Sequence, residues 1–336
     1  MKKLFVLVLA IMMVAVPVFA GGSSESASGE KTINLVLSEV HAEGYPTTLA
    51  DYEFARLVNE KSGGRINIQV YSGGTLYGEE TGSIEALQIG DLAFARVSAS
   101  PVASYVPALN VIQLPYLYRD ADHMWAVLNG EIGQQMLADI ETSGSGLVGL
   151  AYYDAGARSF YTSTPVRSLE DMAGLRIRMQ NNAMMVEMVG LLGANGVTGI
   201  GPNDVYSAIQ QGTIDGAENN WPTYESMGDY EAAPYYTLDA HTRVPEILLA
   251  SKAVMDTLSE EDQQLIKECA KETQEYEIEQ WNLREQHSEE VVTAAGVEVI
   301  ELSADELAKF QEKMAPLYAT YGAGYEDIIA SIQNDY

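Results

Sequence analysis

Two periods of hydrophobic and polar positions take turns along the chain from residue 31 onward. Residues 32–37 (TINLVL) alternate and predict a strand. Residues 47–62 follow with a helical period, with Leu49, Phe54, Leu57 and Val58 on one face, until Gly63-Gly64 ends the run. Residues 65–71 (RINIQVY) alternate again. After Gly73-Gly74 come a helix over 79–89 and a short apolar run over 91–97, the pattern of a buried strand. The same order restarts with strands over 146–153 and 175–179, the second entered through Gly174. A Met-rich helix over 182–192, a helix over 204–211 stopped by Gly212, and a short strand over 213–217 complete it. Strands alternating with helices predict an α/β protein with two units, one before about residue 155 and one after it.

Residues 259–297 break this alternation. Ser259 with Glu260, Glu261 and Asp262 offers a capped, acid-rich helix start. The helical period then runs past Trp281 and Leu283, longer than an ordinary globular helix. It reads as a strut across both units, or as two helices with a hidden junction. Residues 303–310 and 315–334 read as closing helices.

The first twenty residues predict an export signal instead of structure. Lys2 and Lys3 precede the uncharged apolar run 4–16, and Pro17-Val18-Phe19-Ala20 has the small residues that a signal peptidase reads. The run is short for a membrane-spanning helix, and no Cys follows Ala20 to carry a lipid, so cleavage after Ala20 and a periplasmic location are expected. Residues 21–30 (GGSSESASGE) read as a flexible leader.

Charge and cysteine usage narrow the function classes. The full chain carries a formal charge of −29, and losing Lys2 and Lys3 takes it to −31. A nucleic-acid or anionic-membrane binder has the opposite sign. Cys269 is alone, so no internal disulfide forms, and its place in a periodic helical stretch predicts a buried structural thiol. His41, His123, His241 and His287 show no metal-ligand spacing. There is no H-E-x-x-H, C-x-x-C, G-x-S-x-G or phosphate-cradling glycine loop, so neither a cofactor nor a metal is implied.

The arginines carry the most informative pattern. In Gly174-Leu175-Arg176-Ile177-Arg178-Met179 the two arginines share one strand face, and a guanidinium grips a carboxylate with two parallel hydrogen bonds. A pair of surface arginines on an edge strand fits the same pattern. Arg158 lies just past a buried strand, where loops present side chains to a cleft, although a local salt bridge is the plainer reading. Glu218-Asn219-Asn220-Trp221-Pro222 sets two amides beside an indole. That suits a polyhydroxy ligand, and equally an Asn-rich turn with Trp221 in the core.

Taken in order, these segments resemble the DctP-type solute receptors of TRAP transporters. The resemblance rests on A-R-S-F-Y-T at 157–162, S-L-E-D-M-A-G-L-R-I-R at 168–178, L-G-A-N at 192–195 and D-V-Y-S-A-I-Q-Q-G-T-I-D-G-A-E-N at 204–219. It is joined by G-G-T-L-Y-G-E-E and I-E-A-L-Q-I-G-D between 73 and 91. It implies an α/β fold of two domains around a ligand cleft, joined by crossing strands and a long helix. Domain I would take 31–155 plus about 245–284, and domain II 156–244 plus about 285–336. It implies a receptor, not an enzyme, acting as a monomer with a small and a large membrane subunit as partners. It makes Arg178 the carboxylate anchor, assisted by Arg158 and Asn219.

V-H-A-E-G-Y-P at 40–46, Y-Y-D-A-G-A-R-S-F-Y at 152–161 and A-E-N-N-W-P-T-Y-E-S at 217–226 resemble the branch that binds hexuronates such as glucuronate and galacturonate. A uronate needs one carboxylate anchor and several hydroxyl partners. His41, Glu80 and Arg96 on the first domain, and Asn219, Asn220, Trp221 and His241 on the second, are the expected set. Glu80 would also repel a second acid group on the ligand. Asn181-Asn182 and Val197-Thr198-Gly199-Ile200 depart from the family pattern and bear on fine specificity. The alternatives are another organic acid (C4-dicarboxylate, sialic acid, keto acid), a sensor-coupled receptor with the same cleft, or an exported sugar-acid enzyme.

Overall fold

The computed structural model describes residues 32–336, so the export segment, its cleavage point and the polar leader lie outside the described residues. The strands are β1 (Ile33–Ser38), β2 (Ile66–Tyr71), β3 (Phe94–Ser98), β4 (Leu147–Tyr153), β5 (Arg158–Thr162), β6 (Arg176–Arg178), β7 (Asn195–Val197), β8 (Gly216–Asn219), β9 (Tyr235–Thr242), β10 (Glu246–Ser251) and β11 (Glu298–Glu301). The α-helices are α1 (Pro46–Lys61), α2 (Glu80–Ile89), α3 (Ala99–Val102), α4 (Ala121–Asn129), α5 (Glu131–Thr142), α6 (Ala183–Leu191) and α7 (Val205–Gln210). After them come α8 (Trp221–Ser226), α9 (Lys252–Met255), α10 (Glu260–Ala294), α11 (Ala304–Glu312), α12 (Ala315–Tyr321) and α13 (Glu326–Asp335).

The strands form two sheets. The first has the order β2-β1-β3-β10-β4 and the second β11-β9-β5-β8-β6-β7. In the first, β1 runs parallel to β2 and β3, while β10 inserts antiparallel between β3 and β4. In the second, β5 runs antiparallel to both β8 and β9, and β6 runs parallel to β7 and β8. The chain therefore passes between the sheets three times: through 154–157, through 243–245, and along α10 into β11. The α/β class, the paired sheets and the long helix expected from the sequence are all present.

The 259–297 stretch is a single helix of 35 residues. The Ser259 hydroxyl accepts from the Asp262 amide at 3.1 Å, and three acids in the first turn complement the helix dipole. Ile266, Cys269, Ala270, Thr273, Glu277, Trp281, Ser288 and Val292 are buried along it at intervals of mostly three or four residues. That is how one stripe of α10 packs on α1, β4 and α8 in turn. Cys269 is buried and unpaired. Phe310, Met314 and Leu317 of the closing helices join the same apolar cluster as Leu109, Met184 and Met188.

Local differences from the sequence pattern have physical reasons. Arg158 lies on a strand instead of a loop, because residues 158–162 pair on both sides, with β8 and β9. β8 begins at Gly216, three residues later than the period suggests. The turn at Gly212 (φ +66°) delays the strand; Asp215 already bonds to both neighbours, its amide to the Arg176 carbonyl and its carbonyl to the Ser163 amide, while its carboxylate takes the Arg176 amide and guanidinium. Every residue of β10 is buried, so it has no alternation to read. The 315–334 run divides into two helices at Gly322–Gly324, where Gly324 takes φ +86°.

Candidate functional site

Three arginines are buried at the facing ends of the two sheets: Arg96 on β3, Arg158 on β5 and Arg178 on β6. A buried guanidinium must find acceptors, and the three find them differently.

Arg96 is saturated by its own sheet. Its Nε donates to Glu39 Oε2 at 2.8 Å, and Nη1 donates to Glu80 Oε1 and Glu246 Oε2, each at 2.7 Å. Its Nη2 pairs with Glu39 Oε1 and with His41 Nδ1. Burial pushes the Glu39 carboxyl up, but Arg96 and His41 outweigh it and hold the group well below the usual carboxylate range. Burial and the Arg96 charge both lower the His41 pKa, so its ring favours the neutral form. Glu246 is raised to about 7, chiefly by burial, despite Arg96.

Arg158 is matched within the second sheet. It grips Glu218 through Nε and Nη2 and reaches Asn219 Oδ1 from Nη1 at 2.9 Å. Behind Glu218 sits His241, whose Nδ1 is 2.9 Å from Asp239 Oδ2 and whose Nε2 is 3.4 Å from Glu218 Oε2. Its ring stacks on Phe160. Burial works against the imidazolium, yet the two carboxylates win and raise His241 to about 9. Glu218 is lowered to about 2: burial opposes this, and Arg158 and His241 bring it about.

Arg178 differs. It is 7% exposed, its Nε donates to the Ile200 carbonyl at 2.9 Å, and no carboxylate among the described residues lies within salt-bridge distance of it. The two arginines share a face of β6 but differ in depth: Arg176 is exposed and bound to Asp215, whereas Arg178, at the strand's end, is buried and lines a cleft. Glu79, Glu80 and Thr81 at the start of α2 line the cleft from one side, and Arg178, Gln180 and Asn181 from the other. Glu80 Oε1 is committed to Arg96 and to the Ser98 amide at 3.1 Å, and its second oxygen takes no hydrogen bond from the described residues.

Side chains from the two halves meet at several further points, two of them beside these arginines. Asn181 Nδ2 donates to Thr81 Oγ1 at 3.0 Å. Tyr45 stacks on His41 at 3.9 Å, and its hydroxyl lies 2.9 Å from Thr223 Oγ1 and 3.5 Å from Asn220 Oδ1. Asn220 also caps α8 by accepting from the Thr223 amide at 2.8 Å. Trp221 packs face to face on Tyr236 at 3.7 Å, inside the aromatic cluster of Tyr161 and Tyr224.

Of the expected residues, Arg178 and Glu80 line the cleft, Glu80 also joins Arg96 and His41, Arg158 meets Asn219 directly and His241 through Glu218, and Asn220 and Trp221 sit at the start of α8. Sequence reasoning passed over Glu39, Glu246, Tyr45, Thr81 and Gln180. Gln180 had a signal, since it follows Arg178 by two residues at the end of the strand that carries it. Among the described residues no group of three or more His, Cys, Asp or Glu is placed to hold a metal ion, and no helix is long and apolar enough to cross a membrane.

Comparison with known proteins places this geometry. The solved structure of a TRAP periplasmic solute-binding protein from Pseudomonas putida F1 with bound D-glucuronate is 39% identical. It covers 90% of this chain and 97% of its own, with a TM-score of 0.87. A Bradyrhizobium protein in complex with D-galacturonate is 40% identical over 90% and 99% of the two chains, with a TM-score of 0.86. A Citrobacter koseri protein is 34% identical over 90% and 99%, and matches with a TM-score of 0.86 when bound to D-glucuronate but 0.77 in its apo, open form. The present arrangement of the two sheets is therefore nearer the liganded form. The sequence profile described as DctP, bacterial extracellular solute-binding protein family 7, matches residues 37–324, and the chain belongs to this family of TRAP solute receptors.

Proposed function

We propose that this receptor captures a hexuronate, D-glucuronate or D-galacturonate, and delivers it to the small and large membrane subunits of a TRAP transporter. Arg178 carries the reading. It is the buried arginine left without a carboxylate partner, beside a cleft bounded by residues from both sheets. A ligand carboxylate is the missing acceptor. A uronate also brings hydroxyls, which suit the free Glu80 oxygen and the amide of Gln180.

Arg158 and Arg96 play a different part. Each is already neutralised by carboxylates of its own sheet, so each shapes and holds a wall. Asn219, Asn220 and His241 support the second wall, and His41 the first. Trp221 closes the aromatic layer under Asn220.

Capture proceeds by closure. The two units, 31–155 with about 245–284 and 156–244 with about 285–336, swing about the crossing segments. Ligand favours the closed form because only that form makes both sets of contacts. The Asn181–Thr81 and Tyr45–Thr223 contacts are interactions that opening breaks. The mature receptor acts as a monomer outside the cytoplasmic membrane after cleavage at Ala20.

Thermal-shift screening of hexuronates, C4-dicarboxylates, sialic acid and keto acids tests the ligand. Stabilisation by a hexuronate is expected. A shift with a dicarboxylate alone defeats the uronate reading, and turnover of a uronate defeats the receptor reading.

A further inference from the structure

Gln180 combines three observations. The residue is 9% exposed; its amide oxygen has no hydrogen-bond partner among the described residues; and it lines the cleft that holds Arg178. A buried amide oxygen without a donor costs stability, so its retention beside a ligand cleft points to a donor that arrives with the ligand.

Resting on the sugar-acid reading above, we infer that Gln180 reads the ring hydroxyl next to the carboxylate-bearing carbon, and so makes the site select sugar acids over plain carboxylates. The chemistry follows from the neighbourhood of Arg178. Residues 178 and 180 lie two apart, at and just past the end of β6, and both line the same cleft. With the ligand carboxylate on Arg178, the nearest other oxygens of a pyranose uronate are the ring oxygen and O4. The ring oxygen carries no hydrogen and cannot satisfy an amide oxygen. The O4 hydroxyl can donate to it.

The surroundings leave Gln180 available for this. The Arg178 Nε is committed to the Ile200 carbonyl, Asn181 spends its side chain on Thr81 and on the Gly199 amide, and Asn182 spends its own on the start of α6 and on Ser100. Across the cleft Glu80 keeps one oxygen for a second hydroxyl. Arg178 thus sets the charge of the ligand, and Gln180 its hydroxylation.

The test compares two ligands on three proteins by calorimetry: D-glucuronate or D-galacturonate, and tetrahydropyran-2-carboxylate, which keeps the carboxylate and the ring oxygen but has no hydroxyls. Gln180→Met conserves length and volume. It should weaken hexuronate binding about tenfold or more while leaving tetrahydropyran-2-carboxylate unchanged, so the gap between the ligands narrows. Gln180→Glu places an acid beside Arg178 and should weaken both. Unchanged hexuronate affinity in Gln180→Met overturns the inference, as does equal loss of both ligands there, which marks a structural role. Wild-type binding of both ligands by Gln180→Glu also overturns it. If wild-type protein binds no hexuronate, the functional reading itself fails, and the hydroxyl assignment with it.

Discussion

At the scale of single residues, neutralisation decides which arginine does what. Arg158 and Arg178 look alike in the sequence, each close to a strand and a plausible anchor. The structure separates them through Glu218, which lies 60 residues from Arg158 and meets it only because β5 pairs with β8. No local pattern could show that, and alternation alone put Arg176 and Arg178 on one face, so Arg178 was singled out only by the motif around it. A sharp expectation follows. Arg178→Ala should weaken uronate binding by about 2–5 kcal/mol, because a buried carboxylate loses its partner. The ligand-free melting temperature should hold or rise, since a buried charge without a carboxylate partner is removed. Arg178→Lys should fall between, keeping the charge and losing the two-pronged geometry. Calorimetry and melting curves on the three proteins check this, and a large drop in ligand-free stability would show that Arg178 is structural.

At the scale of elements, the long helix and the crossing segment fit each other at one glycine. Gly156 lies between β4 and β5 with φ +58°. A Cβ there would sit 2.3 Å from Glu285 Oε1 and 3.2 Å from the Trp281 ring, both on α10. The positive φ is what reserves the position for glycine; the Glu285 carboxylate, the far end of a flexible side chain, can swing aside, and the Trp281 ring is the closer constraint. Gly156→Ala should destabilise the protein by about 2–3 kcal/mol through strain and overlap, read as a lowered denaturation midpoint. A shift under about 0.5 kcal/mol would show that α10 yields there. The helix itself was legible, because a capped start and an unbroken period need no partner to be seen. β10 and the crossing segments were not, because a wholly buried strand has no polar face and a linker has no period. The pairing order β3-β10-β4, which returns the chain to its first sheet, is set by long-range packing.

At the scale of the whole molecule, the buried groups that hold their protons longest, His241, Glu246, Asp229, Asp51 and Glu277, push stability down as pH rises, whereas Glu39, His41 and Glu218, whose pKa values are lowered, act the other way at lower pH. Folded His241 keeps its proton to about pH 9, while the unfolded chain releases it near 6.5. The stability this provides is whole below about 6.5 and is lost as pH rises through 9. Glu246 is raised from 4.5 to about 7, and Asp229 from 3.8 to about 6, each chiefly by burial. The folded state binds their protons first, so stability falls as pH climbs through those ranges. Asp51 and Glu277, raised well above the ordinary range by burial and by neighbouring carboxylates, add to the same slope. Glu218 opposes it only at the acid end: lowered to about 2, it contributes stability above about 4.5 that is lost below. A chain of formal charge −29 also repels itself more as its last protons leave. Melting temperature should therefore be highest near pH 5 and fall by about 5 °C or more by pH 9.5. Salt separates the two causes, because it screens exposed repulsion but reaches buried groups little. The slope between pH 8 and 9.5 should survive 0.5 M salt in wild-type protein and flatten in His241→Gln, which has no proton to lose. A melting temperature flat from pH 5.5 to 9.5, or an unchanged slope in His241→Gln, would show that the His241–Glu218–Arg158 array does not set the alkaline limit of the fold.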